Sequence, residues 1–298
     1  MDSLLFRDFC RLEANQRPRR SSLHGLISLI TAATWERINR LQLMTAKNQG
    51  IEKGRTVAID STVTESDIKP PCDSDLLACS VKEICLLLEW GQKLTATPLY
   101  EYTHHNRAVK KAASKCIYVR KKEEQKQHYK KLLQLTRKSR KVLIEAKFKI
   151  ENALQQGQCL RTHDVKQWQA DVDHLLSLVD AVVSQTERRV FKGEKVPAQE
   201  KVVSLYEPHT DIIVKDRRQV QYGHKLNLAQ GKSRLILDLV IEEGNPADSD
   251  RFIPMMERQK AIYGRVPRQS SCDGGYASRS NLEDGKAMGI SDVAFNKK

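Results

Sequence analysis

The segment 74–194 has helical periodicity almost throughout, and it separates one short predicted strand from all the others. Thr56-Val57-Ala58-Ile59 is typical of a buried strand, which should end on Asp60-Ser61-Thr62, and strand-like patterns return only after Val196. Because one strand is not stable alone, it must join the later strands in a single sheet. We therefore predict a mixed α/β fold with a large helical insertion after the first strand.

Within the insertion, the pattern predicts a first helical stretch from about Ser74, with Leu76, Leu77, Val81, Ile84 and Leu88 on one face. A long basic helix over about 104–154, a turn between Gly157 and Thr162, and a partner helix over about 164–192 should follow. In the partner helix, apolar residues recur at steps of three and four. This spacing suits an antiparallel two-helix hairpin. The recurring residues are Val165, Trp168, Val172, Leu175, Val179 and Val182.

After the insertion, the sequence predicts three strands, then a helix, a strand, a second helix and a last strand. A tight turn at Gly231 should join the second and third of these strands as a hairpin. The predicted elements are strands 202–206, 221–229 and 235–242, a helix from Asp248 or Ser249 to about 262, a strand over 268–272, a helix capped by Ser278 to about 288, and a strand from Asp292.

The N-terminal residues 3–48 are predicted to form two helices interrupted at Pro18, with Ser21 or Ser22 capping the second, which should end near Leu43. The segment is either a small helical bundle packed on the main domain or a module that binds DNA ends. Its second helix has a broad apolar face formed by Leu26, Leu29, Ile30, Ala33, Ile38 and Leu41, and the stripe ahead of Pro18 consists of Leu4, Leu5, Phe9 and Leu12.

Positive charge is concentrated in one part of the insertion. The chain has a net charge of +14, and residues 104–150 alone contain 16 Lys and Arg against three acidic residues. The remainder has 35 basic and 34 acidic residues and is close to neutral. Such a segment attracts a polyanion, so we expect contact with nucleic acid rather than only a solvated helix face.

Other features exclude some protein classes. The seven cysteines are odd in number and none are spaced as C-x-x-C, so we expect neither a zinc site nor a disulfide framework. The longest apolar stretch, 26–35, is too short and too polar to span a bilayer, and the first residues lack the pattern of a secretory signal. We expect a cytoplasmic protein with no membrane partner.

Two aspartates follow predicted strands. Asp60 follows the first strand and Asp273 the strand over 268–272. Without the insertion, the order of elements is that of a ribonuclease-H-like domain, in which these strand ends lie side by side. Paired carboxylates there can hold Mg²⁺ ions, although a lone aspartate after a strand more often begins a turn. Asp238 and Glu242, on a more apolar strand, rank below Asp273.

Several motifs, in the same order, resemble bacterial insertion-sequence DDE transposases, particularly the ISNCY-type group. Val57–Thr62 resembles the family's first-aspartate motif, and Asp273–Ser278 resembles its second-aspartate motif. Further similarity lies in Pro71–Leu77 at the entry to the insertion, in Glu207–Ile213 with Tyr222–Lys225, and in Glu242–Ser249. The resemblance covers most of the chain.

The resemblance implies an RNase H-like catalytic core over 51–73 and 196–298, a basic helical insertion over 74–195 and an N-terminal DNA-binding module over 1–50. It implies that Asp60 and Asp273 are catalytic and bind Mg²⁺ or Mn²⁺. The activity would be DNA transposition: cutting double-stranded DNA at element ends and joining the 3′-hydroxyl to target DNA in a bacterial, nucleoid-associated setting. It leaves a homo-oligomer open.

The expected DNA contacts come from the basic insertion and from three residues near the catalytic face. For the two histidines, an ordinary role as hydrogen-bonded strand residues is an equal alternative. The expected residues are Lys110, Lys111, Arg120, Lys121, Lys122, Lys130, Lys131, Arg137, Lys138, Arg140, Lys141, His209, His224 and Lys225.

One departure from the family concerns its third carboxylate, a glutamate on a helix beyond the strand that begins at Asp292. The sequence ends at Lys298, so we expect a C-terminally truncated transposase that is itself inactive. Two alternatives stay open: a non-catalytic DNA-binding or regulatory protein, and a metal-dependent nuclease unrelated to transposition.

Overall fold

The computed structural model describes residues 11, 13, 19–159, 161–215 and 219–296. Over these residues the chain is a mixed α/β protein, as predicted. Its helices are α1 (Arg20–Ser28), α2 (Ala32–Asn48), α3 (Asp73–Gln92), α4 (Asn106–Tyr118), α5 (Lys122–Gln155), α6 (Thr162–Thr186), α7 (Phe252–Tyr263) and α8 (Arg279–Ala287). Its strands are β1 (Thr56–Glu65), β2 (Asp211–Lys215), β3 (Gln219–Gly231), β4 (Ile236–Ile241), β5 (Gln269–Cys272) and β6 (Asp292–Phe295).

The chain divides into two compact units, which we call the sheet unit and the helical unit. The sheet unit contains the described residues up to Ser61 together with Asn227–Val240 and the chain from Ala247 onward. The helical unit contains Thr62–Leu226 and Ile241–Pro246. This division differs from the predicted one, because α1 and α2 fall with the sheet, whereas residues 62–73 and 196–226 fall with the helices.

The helical unit is built on a four-helix bundle, α3–α6, rather than on the predicted two-helix hairpin. Helix α5 contributes to two apolar clusters, one around Leu132 and Leu133 and the other around Leu143 and Ile150. Trp168 of α6 is fully buried in the second cluster, and its indole nitrogen donates to the carbonyl of Leu87 at 2.8 Å. The heptad-like spacing in α6 therefore predicted its buried face correctly, but the number of helices was wrong.

The predicted helix over 104–154 is divided in two by a short corner. Val119 has extended backbone angles, and α5 begins only at Lys122. The side-chain amide of Gln125 donates to the carbonyl of Cys116 at 2.7 Å, so a group from α5 satisfies the C-terminal end of α4. The predicted strand over 202–206 is also absent from the described structure, because both backbone groups of Val202 bond to the side chain of Gln185.

The sheet unit has β1 between β3 and β5, with β4 beside β3 and β6 beside β5. Strands β1, β5 and β6 are parallel, with Ile59, Cys272 and Phe295 in register. This row packs into the core with α7. The predicted hairpin of β3 and β4 is confirmed, with the amide of Gly231 donating to the carbonyl of Leu235 at 2.9 Å.

Strand β1 is longer than predicted. It continues through Asp60 to Glu65, because the β-branched residues that follow Asp60 favour extended structure, and the Ser66 amide still bonds to the carbonyl of Tyr222 at 2.9 Å. Asp60 therefore lies within β1 and not at its end.

The N-terminal prediction was partly wrong. The second predicted helix is two helices, and Thr31, not Ser21 or Ser22, caps the longer one by accepting from the Thr34 amide at 3.3 Å. The predicted apolar face is largely exposed, whereas Leu43 and Ala46 are buried. The stripe of Leu4, Leu5, Phe9 and Leu12 lies outside the described residues.

Two of the sequence predictions concern membrane-spanning segments and cysteines, and the structure describes both features. No helix among the described residues combines the length and apolar character needed to cross a bilayer. The six cysteines in the described part of the chain are all free thiols, with Cys85, Cys116 and Cys272 buried. Burial raises the pKa of the Cys272 thiol to about 12, which makes it an inert core residue.

Candidate metal and nucleic-acid sites

The sheet unit brings the two predicted catalytic aspartates to neighbouring positions. In the parallel pairing of β1 and β5, Ile59 is opposite Cys272. Asp60 and Asp273 are the residues that follow this pair, Asp60 within β1 and Asp273 just beyond the end of β5. Ile59 and Cys272 are buried, whereas Asp60 is exposed and Asp273 half-buried. Because side chains alternate along a strand, the carboxylate of Asp60 projects from the face opposite to the buried Ile59.

Both carboxylates have unused hydrogen-bonding capacity. One oxygen of Asp60 accepts from the Ser61 amide at 2.8 Å, and one oxygen of Asp273 accepts from the Gly274 amide at 2.6 Å. Neither carboxylate forms an ion pair with any described residue. The second oxygen of each is therefore open to a ligand, and carboxylate oxygens are the donors that Mg²⁺ and Mn²⁺ prefer.

The buried side chain of Tyr276 stabilises the turn that follows Asp273. Its side chain is fully buried, and its hydroxyl donates to the Asn227 side chain at 2.5 Å. Burial raises the pKa of the Tyr276 hydroxyl, and the carboxylates of Asp248 and Asp60 raise it further. The phenol therefore stays a protonated donor, and it fixes the turn that follows Asp273.

Asp248 is a third carboxylate near this turn, at a position for which the sequence predicts a helix cap and a family motif but no metal ligand. One of its oxygens lies 2.7 Å from where a Cβ on Gly275 would be. A glycine at 275 is what permits this approach. Even so, no group of three or more His, Cys, Asp or Glu side chains among the described residues is arranged to hold a metal ion.

Asp238 and Glu242, the lower-ranked carboxylates, lie elsewhere. Both are buried. Asp238 accepts two hydrogen bonds from the Arg258 guanidinium, at 2.6 and 2.8 Å, and this contact raises the pKa of Arg258. This structural role of Asp238 fits its ranking below Asp273.

The basic residues of the helical unit fall into two groups. Three of the predicted DNA contacts are in ion pairs: Arg137 with Glu187, Arg140 with Asp180 at 2.6 Å, and Lys141 with Glu145 at 3.8 Å. The other eight are exposed and form no ion pair with any residue that the structure describes. These eight, which we call the unpaired cations, are Lys110, Lys111, Arg120, Lys121, Lys122, Lys130, Lys131 and Lys138.

The three predicted DNA-contacting residues outside the bundle, His209, His224 and Lys225, differ from the unpaired cations in their surroundings. His209 and His224 stack with ring centroids 5.1 Å apart, and each has a carboxylate nearby: Glu207 at 3.0 Å from His209 and Asp211 at 3.8 Å from His224. These carboxylates oppose the approach of a phosphate. Lys225 is buried, and its ammonium donates to the Pro246 carbonyl at 2.6 Å, which favours a structural role.

Comparison with known proteins gives no match: no family model, no curated protein and no solved structure is significantly similar to this chain. The resemblance to DDE transposases therefore rests on the sequence motifs alone.

Proposed function

We propose that this chain is a transposase-type protein with an RNase H-like sheet, which binds double-stranded DNA and cuts and joins its phosphodiesters with divalent metal ions. The observation that carries the proposal is that Asp60 and Asp273 directly follow Ile59 and Cys272, which are paired across the adjacent, parallel strands β1 and β5. The motif resemblance requires this juxtaposition, and neither residue has another charged partner among the described side chains.

The residues at this edge fit a divalent cation. Asp60 and Asp273 would supply hard oxygen ligands on short side chains that the strand pairing holds in place. Bound ions of this kind activate a water or 3′-hydroxyl and stabilise the leaving oxygen. The chain's own contribution would be to hold these carboxylates, with the buried Tyr276 keeping the turn after Asp273 rigid.

The helical unit supports the DNA-binding part of the proposal. Its eight unpaired cations are exposed and close together in sequence, so they can replace the counterions of a phosphate backbone. Binding of this kind weakens steeply with salt. An affinity for duplex DNA that does not change between low and high salt would contradict the proposal.

Divalent-metal binding tests the site without requiring catalysis. We expect the full chain to bind Mn²⁺, measured by electron paramagnetic resonance, and Asp60→Asn or Asp273→Asn to weaken binding at least about tenfold, since each removes a charged ligand. The matched control is Asp292→Asn, which changes a carboxylate at the opposite end of the parallel strands. Mn²⁺ binding that survives both aspartate substitutions would show that the site is misplaced.

A second candidate is a non-catalytic DNA-binding or regulatory protein. It is favoured by the lack of a three-ligand metal group among the described residues. Nicking of supercoiled DNA with Mn²⁺ discriminates the two. Nicking that Asp60→Asn abolishes supports the enzyme, whereas salt-sensitive DNA binding without nicking supports the second candidate.

A further inference from the structure

The corner between α4 and α5 carries an exposed aromatic side chain among cations. We define the α4–α5 corner as residues 115–122. Tyr118, the last residue of α4, has 80% of its surface exposed, and it forms no hydrogen bond or ring contact with any described residue. An exposed tyrosine without a partner contributes nothing to the fold, so its surroundings indicate what it could bind.

The surroundings are strongly basic. Lys115 lies one turn before Tyr118, and Arg120, Lys121 and Lys122 follow it. All four cations are exposed and none is in an ion pair with a described residue. The nearby acidic residues are Glu123 and Glu124, of which Glu123 pairs with Lys126 at 3.0 Å. The corner therefore keeps a positive charge around the ring.

Lys111 extends this basic surface along α4. Lys111, Lys115 and Tyr118 are spaced at four and three residues, so they lie on one side of the helix. A nucleic-acid strand that contacts these lysines through its phosphates would lead towards the tyrosine ring.

The corner is also held in one geometry. Gln125 donates to the carbonyl of Cys116 at 2.7 Å, and the Val119 amide closes the last turn of α4 by donating to the Lys115 carbonyl at 3.0 Å. Cys116 and Tyr129 anchor both helices in one apolar cluster. A tyrosine loses little side-chain freedom on binding, and a rigid support lowers the cost further.

We propose that Tyr118 is a stacking platform for an unpaired base, and that the α4–α5 corner binds a single-stranded segment of DNA. The inference deepens the proposed function by naming the form of DNA that this part of the basic surface recognises. Every base has a π-face, so an aromatic ring between cations binds single strands with little sequence preference. In an intact duplex the bases are already stacked on each other and do not offer this face.

The test compares a fluorescein-labelled 20-nucleotide single strand with a duplex of the same length, using the full chain and anisotropy at 0.15 M salt. Tyr118→Ala should weaken single-strand binding about tenfold, within the range for loss of one base stack. Duplex binding should change less than about twofold. Tyr118→Trp and Tyr118→Phe should retain single-strand affinity, because each keeps a ring.

Tyr206→Ala is the matched control. Tyr206 is a tyrosine of the same unit with 60% of its surface exposed. Unlike Tyr118, it is engaged within the protein, because its hydroxyl donates to Glu83 at 2.7 Å and Lys82 lies over its ring. We expect no change in single-strand affinity. A strand containing 2-aminopurine gives a direct readout, because stacking on Tyr118 should quench its fluorescence, and Tyr118→Ala should restore it.

The outcomes separate this inference from the proposed function. If Lys121→Gln with Lys122→Gln weakens both DNA forms while Tyr118→Ala affects neither, or both equally, the stacking platform is overturned and duplex binding stands. If the wild-type chain binds neither form, both proposals fail. If it binds a single RNA strand through Tyr118 and no DNA, the platform holds for RNA, and the proposed function and the assignment to DNA both fail.

Discussion

The helical unit and the sheet unit use charged residues in opposite ways. In the helical unit, eight similar cations lie exposed around a bundle core, and none depends on a described ion pair. In the sheet unit, two aspartates become neighbours only through the register of β1 and β5, and other acidic groups are buried with dedicated partners. Under the proposed function, DNA binding by the helical unit would thus depend on the number of charges, and metal binding by the sheet unit on the position of two carboxylates. Single substitutions should separate the two cases.

The largest expected effect is on stability, from a substitution in the apolar core of the helical unit. Trp168→Ala should lower the free energy of unfolding by about 3–5 kcal/mol, since it removes a fully buried indole that also bonds to Leu87. Urea unfolding followed by circular dichroism measures this. Phe148→Ala, on an exposed aromatic of α5, is the control and should change the free energy by less than about 0.5 kcal/mol. A loss below about 1 kcal/mol for Trp168→Ala would show that the bundle core is misassigned.

Next in size is the effect of a buried carboxylate in the sheet unit. Glu52 is 3% exposed and accepts from the amides of Lys53, Gly54 and Ser233 and from the Ser233 hydroxyl. Burial alone would raise its pKa, but these hydrogen bonds together lower it below the ordinary value. Glu52→Gln should therefore lower the free energy of unfolding at neutral pH by about 1–3 kcal/mol.

The sign of the pH dependence follows from the lowered pKa. The stabilisation by Glu52 is present above the unfolded-state pKa and is lost as pH falls through the lower folded-state pKa. The difference between wild type and Glu52→Gln should thus be largest near neutral pH and shrink on acidification. Glu257→Gln, on an exposed carboxylate of the same unit, should show no such trend. A difference that grows towards acid pH would rule out this role for Glu52.

Elements were predicted correctly from the sequence where the local pattern and the tertiary packing favour the same structure. The β3–β4 hairpin around Gly231, the cap at Ser278 and the buried face of α6 followed from turn chemistry, capping and spacing. The same patterns placed Asp60 and Asp273 next to strands, but only the pairing of β1 with β5 makes them neighbours.

Several of the failed predictions have their cause in side-chain contacts that the local sequence pattern does not show. Val202 begins a strand-like pattern, yet both of its backbone groups bond to the side chain of Gln185. No local sequence pattern predicts this contact. The break between α4 and α5 is similarly stabilised by Gln125, and the approach of Asp248 to Gly275 joins residues on different elements. Hydrogen bonds from a side chain to the backbone of another element cannot be predicted from hydrophobic periodicity.

The smallest expected effect tests whether the cations are interchangeable. Lys130→Gln should weaken duplex binding about fivefold at 0.15 M salt and reduce the slope of log affinity against log salt by about 0.9, the value for one phosphate contact. Arg140→Gln should do less, since Asp180 at 2.6 Å already neutralises Arg140. Anisotropy titrations across salt concentrations measure both. Equal slopes for the two variants would mean that ion pairing within the bundle does not select the DNA contacts.

The uninterrupted length of α5 has a further consequence. Its 34 residues extend about 50 Å, and the stretch from Lys122 to Lys138, where its unpaired cations lie, covers about 24 Å. With one phosphate every 3.4 Å along a strand, that distance corresponds to about seven base pairs of duplex lying along the helix. The footprint of this helix on DNA should accordingly be shorter than one turn of the double helix, so one molecule would protect a single face of its binding site.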